Sequence, residues 1–191
     1  MENLKIYPKK VMTVRKMTRV AMLAAIAIFM SLTPFGYIRL TPSLKVTFMH
    51  IPVIIAAITD GIAGGIIVGL IFGLSSLVNN LSTIFAPIFI NPMISIFPRI
   101  MIGVFSALTY KKTKNVAITA IVGTATNTIL VLSMIYVFAA KTFASISKVA
   151  IGSLGKILIG IALTNGTLEV IVAAIIVTAI TKALDKIIRQ A

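Results

Sequence analysis

Asp60-Gly61-Ile62-Ala63-Gly64-Gly65-Ile66-Ile67-Val68-Gly69-Leu70-Ile71-Phe72-Gly73-Leu74 carries one charge, at its first residue, and glycine at every fourth position from Gly61 to Gly73. The apolar run continues to Val78, long enough for a helix that crosses a bilayer. Glycines four apart lie on one helix face and let a second backbone come close. Lipid offers helices no hydrophobic reason to associate, so such close packing is what holds them together. The stripe therefore predicts a helix packed inside a membrane bundle, and Asp60-Gly61 reads as a tight turn leading into it.

The rest of the chain has the same character. Of its 191 residues 59% are hydrophobic and 12% charged, with a mean hydropathy of +1.09. That is too little polar surface to cover a soluble globule. The chain reads as an all-α polytopic membrane protein in one domain, 1–191. A basic segment over 1–16 precedes a six-helix bundle over 17–181, and a tail over 182–191 follows. The expected spans are 17–32, 47–59, 62–78, 93–110, 116–140 and 157–181, the second being short. Thr33-Pro34-Phe35-Gly36 ends the first, and a polar, proline-marked link over 79–92 precedes the fourth. A cleavable signal peptide does not fit 17–32, because further spans follow instead of a cleavage site and a soluble domain.

Twelve of the eighteen Lys and Arg residues flank the start of the first span, the link between the fourth and fifth, and the end of the sixth. Arg39, Lys45, Lys141, Lys148 and Lys156 fall on the other side. The positive-inside rule then puts both termini in the cytoplasm. Anionic headgroups and topology account for the net charge of +14, and nucleic acid is not expected as a partner. With no cysteine there are no disulfides or thiolate sites, and one histidine gives no basis for a metal site. The acidic residues Glu2, Asp60, Glu169 and Asp185 are scattered, and no Ser-His-Asp set is visible, so an enzyme is not expected. Gly152-Ser153-Leu154-Gly155-Lys156 has glycines too close together for a phosphate loop and no Ser or Thr after the lysine. The chain is thus expected to hold no cofactor and to use no ATP itself.

Arg99 is a charge directly before an apolar run. Its guanidinium stays protonated at any workable pH, so when buried it needs an anion, carbonyls or water. In the expected orientation the outer half of the bundle also collects His50, Asn79, Asn80, Asn91, Thr164, Asn165, Thr167 and Glu169. Asn127 falls nearer mid-membrane, with Thr124 and Thr128 beside it. Each polar group buried without a partner costs roughly several kcal/mol. The set therefore predicts a pocket open to the outside, with Arg99, Asn127, His50, Asn80, Asn165 and Glu169 as its ligand contacts. The alternatives are an Arg99–Glu169 structural ion pair, a His50 that only bonds the loop, and an Asn127 that only joins helices. Ala21 and Ala25 repeat the small-residue spacing on the first helix, where they meet either the bundle or a different membrane subunit.

Several segments together resemble the substrate-binding S components of energy-coupling factor (ECF) vitamin transporters. They are Pro34-Phe35-Gly36-Tyr37-Ile38, Thr47-Phe48-Met49-His50-Ile51-Pro52, the glycine stripe through Ser75-Ser76, Pro98-Arg99 before Gly103, Thr126-Asn127-Thr128, and Asn165-Gly166 before Glu169. The resemblance covers nearly the whole chain. It implies a six-helix subunit that captures a vitamin outside the cell, topples in the membrane, and works with a transmembrane coupling subunit and two ATPase subunits that use the ATP. It also implies that Ala21 and Ala25 contact the coupling subunit and that the loop over 34–46 covers the pocket. The 47–52 stretch and Asn127-Thr128 look most like pantothenate-type members, and a buried arginine suits a carboxylate. Hydroxymethylpyrimidine, pyridoxine, riboflavin, folate and cobalamin remain as other ligands. A self-sufficient small channel or secondary carrier, or a purely structural membrane protein, remains as a different class.

Overall fold

In a computed structural model, residues 12–33, 36–41 and 44–190 are described. Helix α1, Val14–Leu32, leads into an antiparallel hairpin of β1, Tyr37–Thr41, and β2, Leu44–Thr47. Tyr37 pairs with Thr47, and Ile38 with Val46. The sequence reading expected only a loop here. The β-branched residues Ile38, Thr41, Val46 and Thr47 favour extended backbone instead. Phe48 N–H then donates to Gly36 O at 2.8 Å, closing the base of the hairpin.

Helix α2, Ile51–Asn80, is broken at Gly61, whose φ of 75° and ψ of −159° belong to a region that only glycine occupies freely. A Cβ built on Gly64 would lie 3.0 Å from Ala56 O, eight residues back. In an unbroken helix eight residues advance about 12 Å, so the chain turns sharply at the expected position. A Cβ built on Gly61 would meet nothing within 4 Å, so this glycine serves the turn rather than the packing stripe. The other three glycines pack as expected. Added Cβ atoms would stand 2.8 Å from Gly103 Cα at Gly65, within 2.4 Å of Arg99 O at Gly69, and 2.8 Å from Ile96 Cα at Gly73.

Those neighbours lie on or just before α5. The link over 79–92 contains a short helix, α3, Ala86–Phe89, and α4, Pro92–Ser95, precedes α5, Phe97–Thr113. Helix α6, Val116–Ser147, runs past its expected end at 140 and breaks at Ala139, with φ −137° and ψ 19°. A 3₁₀ turn at Ile151–Ser153 starts the last stretch, followed by α7, Leu154–Ile161, a π-helical turn, Ala162–Gly166, and α8, Thr167–Gln190. Among the described residues four stretches are long and apolar enough to cross a membrane: Ile51–Asn80, Pro92–Thr113, Val116–Ser147 and Ile151–Leu184. The chain is a multi-pass, overwhelmingly helical membrane protein. Ile54, Ala27, Ile102, Ala120 and Val177 bring α1, α2, α5, α6 and α8 into one core.

Polar contacts join the helices at both ends. Arg19 on α1 pairs with Asp60 at the turn of α2 at 2.6 Å. At the other end of both helices, Asn79 Nδ2 donates to Ser31 O at 2.8 Å.

Candidate functional site

A cavity of about 490 Å³ opens beside Asn79 and Ser31. All six residues expected as ligand contacts line it: His50, Asn80, Arg99, Asn127, Asn165 and Glu169. They come from the start of α2, its end, α5, α6, the π turn and α8. Phe85, Phe89, Val131, Ile135 and Phe143 form an apolar wall, in which the Phe85 and Phe143 rings stack at 6.3 Å. Ile88 and Ile94, both fully buried, seat α3 and α4 against that wall of α6.

Pro98 determines how Arg99 is held. In a continuous helix Ile94 O would accept from the N–H of residue 98, which proline lacks. Arg99 Nη1 donates to that carbonyl instead, at 2.7 Å. Nη2 reaches Ser76 Oγ at 3.5 Å, and the guanidinium carbon lies 5.6 Å from the centre of the Phe72 ring. Nε has no hydrogen-bond partner among the described residues, and the side chain is 7% exposed. The ring face and a carbonyl oxygen attract the cation but carry no neutralising charge.

The alternative of an Arg99–Glu169 ion pair is overturned by this geometry. Among the described residues the one ion pair is Arg19–Asp60. Glu169 Oε1 accepts from Thr47 N–H at 2.9 Å and from the Thr47 hydroxyl at 2.5 Å, and Oε2 accepts from Thr128 at 3.5 Å. His50 is buried and its Nε2 bonds Thr124 Oγ1 on α6 at 3.0 Å, which ties it to a helix and not only to the loop. Asn80 Nδ2 donates to Ser76 O at 2.7 Å. Asn127 Oδ1 is buried with no partner among the described residues, which disfavours a purely interhelical role.

Not every polar residue near this depth joins the cavity. Thr164 and Thr167 are exposed and bond the carbonyls of Gly160 and Leu163 in their own helix. Asn91 caps α4 by accepting from Met93 N–H at 3.0 Å. Asn165 and Glu169 are four apart, and the π turn between α7 and α8 brings both onto the cavity side. Such turns recur at functional sites. Gly166 lets α6 approach, since a Cβ there would lie 3.2 Å from Thr128 Cγ2.

Four polar lining residues, Ser31, Thr47, Ser76 and Thr83, were missed by the sequence reading. Ser31 has a buried hydroxyl without a partner among the described residues. Ser76 stands one helical turn before Asn80, a spacing that would have revealed it. Thr47 carries no such signal, because its role depends on the hairpin. Ala21 and Ala25 are both exposed on α1, whereas Ala24 and Ala27 face the core. Of the expected loop cover over 34–46, residues 34, 35, 42 and 43 lie outside the described ones. Among the described residues no three His, Asp or Glu side chains gather as metal ligands.

A family model for the substrate-specific component of ECF transporters matches residues 15–181. The chain is also 42% identical over 96 residues to the pantothenic acid transporter PanT of Lactococcus lactis subsp. cremoris. That alignment covers 49% of this chain and 45% of the relative.

Proposed function

The chain belongs to the family of ECF transporter substrate-specific components, and on that premise we propose that its cavity captures a small carboxylate-bearing vitamin, pantothenate, outside the cell. The carrying observation is Arg99, a buried cation whose protein contacts are a carbonyl, a hydroxyl and an aromatic face, with Nε left over. A carboxylate meets it through charge-assisted hydrogen bonds. Asn127 Oδ1 calls for a donor, which a ligand hydroxyl or amide N–H supplies. The wall of Phe85, Val131, Ile135 and Phe143 suits a branched alkyl segment. Pantothenate combines all three, and the similarity to a pantothenic acid transporter supports the choice. The cavity volume lies within the range of roughly 300–1,000 Å³ usual for small-molecule sites.

In this reading both termini are cytoplasmic and the bundle has six spans. The chain holds no cofactor. A transmembrane coupling subunit docks on Ala21 and Ala25, and two ATPase subunits use the ATP. The test is mass spectrometry of small molecules extracted from the purified protein, followed by titration calorimetry with pantothenate. Saturable binding of pantothenate with no response to pyridoxine, hydroxymethylpyrimidine or riboflavin is the expected result. Tight binding of one of those with none of pantothenate rejects the acid-binding role.

A further inference from the structure

Glu169 lines the cavity, yet its hydrogen bonds run to the hairpin and to α6. Its two bonds to Thr47 join residues 122 apart in the chain, and the bond from Thr128 ties the same carboxylate to α6. Thr47 is the last residue of β2 and itself lines the cavity. The strands pair with each other, and Thr47 ties the root of the hairpin to α8 through its N–H and its hydroxyl. β2 lies against the π turn and α8, the elements that present Asn165 and Glu169. With three donors on its two oxygens and 7% exposure, the carboxylate is committed to these partners.

We propose that Glu169 is a positioning residue that latches the root of the hairpin to the α6–α8 wall, and that breaking its bonds to Thr47 opens the cavity. What passes through the opening rests on the capture reading above. The latch itself is a property of this chain alone. Glu169 then controls the rates of ligand exchange rather than gripping the ligand.

The chain has no cysteine, so Leu132→Cys on the cavity lining gives a single labelling site for a water-soluble methanethiosulfonate reagent. Thr47→Val and Glu169→Gln are each expected to raise the labelling rate about tenfold, the lower end of a hydrogen bond to a charged group. The double variant should exceed the faster single variant little, because both changes weaken the same Thr47–Glu169 contact. Thr47→Ser keeps the hydroxyl and should restore the original rate. Elution volume and unfolding midpoint monitor the fold, and if Glu169→Gln does not fold, the comparison of Thr47→Val with Thr47→Ser decides. With pantothenate as probe, association and dissociation should quicken together and leave Kd nearly unchanged. Unchanged labelling overturns the latch. So does a Glu169→Gln variant that loses affinity through dissociation alone while Thr47→Val is silent. Failure of the unaltered protein to bind pantothenate rejects the capture reading, and the labelling rates still decide the latch.

Discussion

Arg99 is costly to bury and does little for the fold. Removing it orphans the Ile94 carbonyl but also removes a desolvated charge with no carboxylate beside it, two effects of opposite sign. Arg99→Ala is therefore expected to keep its unfolding midpoint while Kd for pantothenate rises about ten- to a hundredfold. A hydrogen bond to a charged group contributes about 1.5–3 kcal/mol, and each 1.4 kcal/mol is a factor of ten. Arg99→Lys should fall between, because an ammonium keeps the charge and loses the planar fork. Calorimetry beside thermal unfolding separates the two effects, and an unchanged Kd in Arg99→Ala removes the arginine from the site. Thr124→Val tests the neighbouring contact. It strips buried His50 of its Nε2 partner and should lower stability by about 1–3 kcal/mol, read as a lower unfolding midpoint.

At the scale of elements, the glycines of α2 play two roles that a common spacing conceals. Gly65, Gly69 and Gly73 let α2 lie on the backbone of the segment from Ile96 to Gly103, whereas Gly61 turns the chain. Gly103→Ala would put a Cβ within 2.3 Å of Gly65 carbonyl atoms, and backbone cannot swing aside. We expect a loss of at least about 1–3 kcal/mol, the usual cost of overpacking. Gly61→Ala meets no neighbour and should cost about 1–3 kcal/mol through backbone strain alone. Gly61→Ala followed by unfolding in detergent checks this, and an unchanged midpoint contradicts the turn. The sequence revealed the stripe, the turn and the apolar, multi-pass helical character because these follow from local composition and spacing. It did not reveal the hairpin, α3 or the π turn. Each of these depends on what it packs against: Ile88 and Phe85 on α6, and Thr47 on Glu169. The same reason explains the site. Arg99, Asn127 and His50 stood out as polar residues in apolar runs, while Ser31 and Thr47 look ordinary until distant elements meet around the cavity.

Across the whole molecule, polarity is separated by depth, and α1 and α2 are tied at both ends, by Arg19–Asp60 on one side and Asn79–Ser31 on the other. The cavity lies toward the second. The first end holds the start of α1, from which Ala21 and Ala25 project away from the core one helical turn apart. Small residues on an exposed helix face give up side-chain contact with lipid in exchange for close backbone approach, which benefits a partner helix and not the isolated chain. Leucine at either position should therefore leave pantothenate binding by the purified chain unchanged, since neither residue lines the cavity. The same substitutions should abolish co-purification with the coupling subunit and ATP-driven uptake in reconstituted vesicles. If the proposed division of labour holds, vesicles holding this chain alone should accumulate no pantothenate with or without ATP, because the ATPase subunits would supply the free energy. Flux from the chain alone would assign it to the carriers, and assembly undisturbed by Ala21→Leu and Ala25→Leu together would move the coupling surface elsewhere on the bundle.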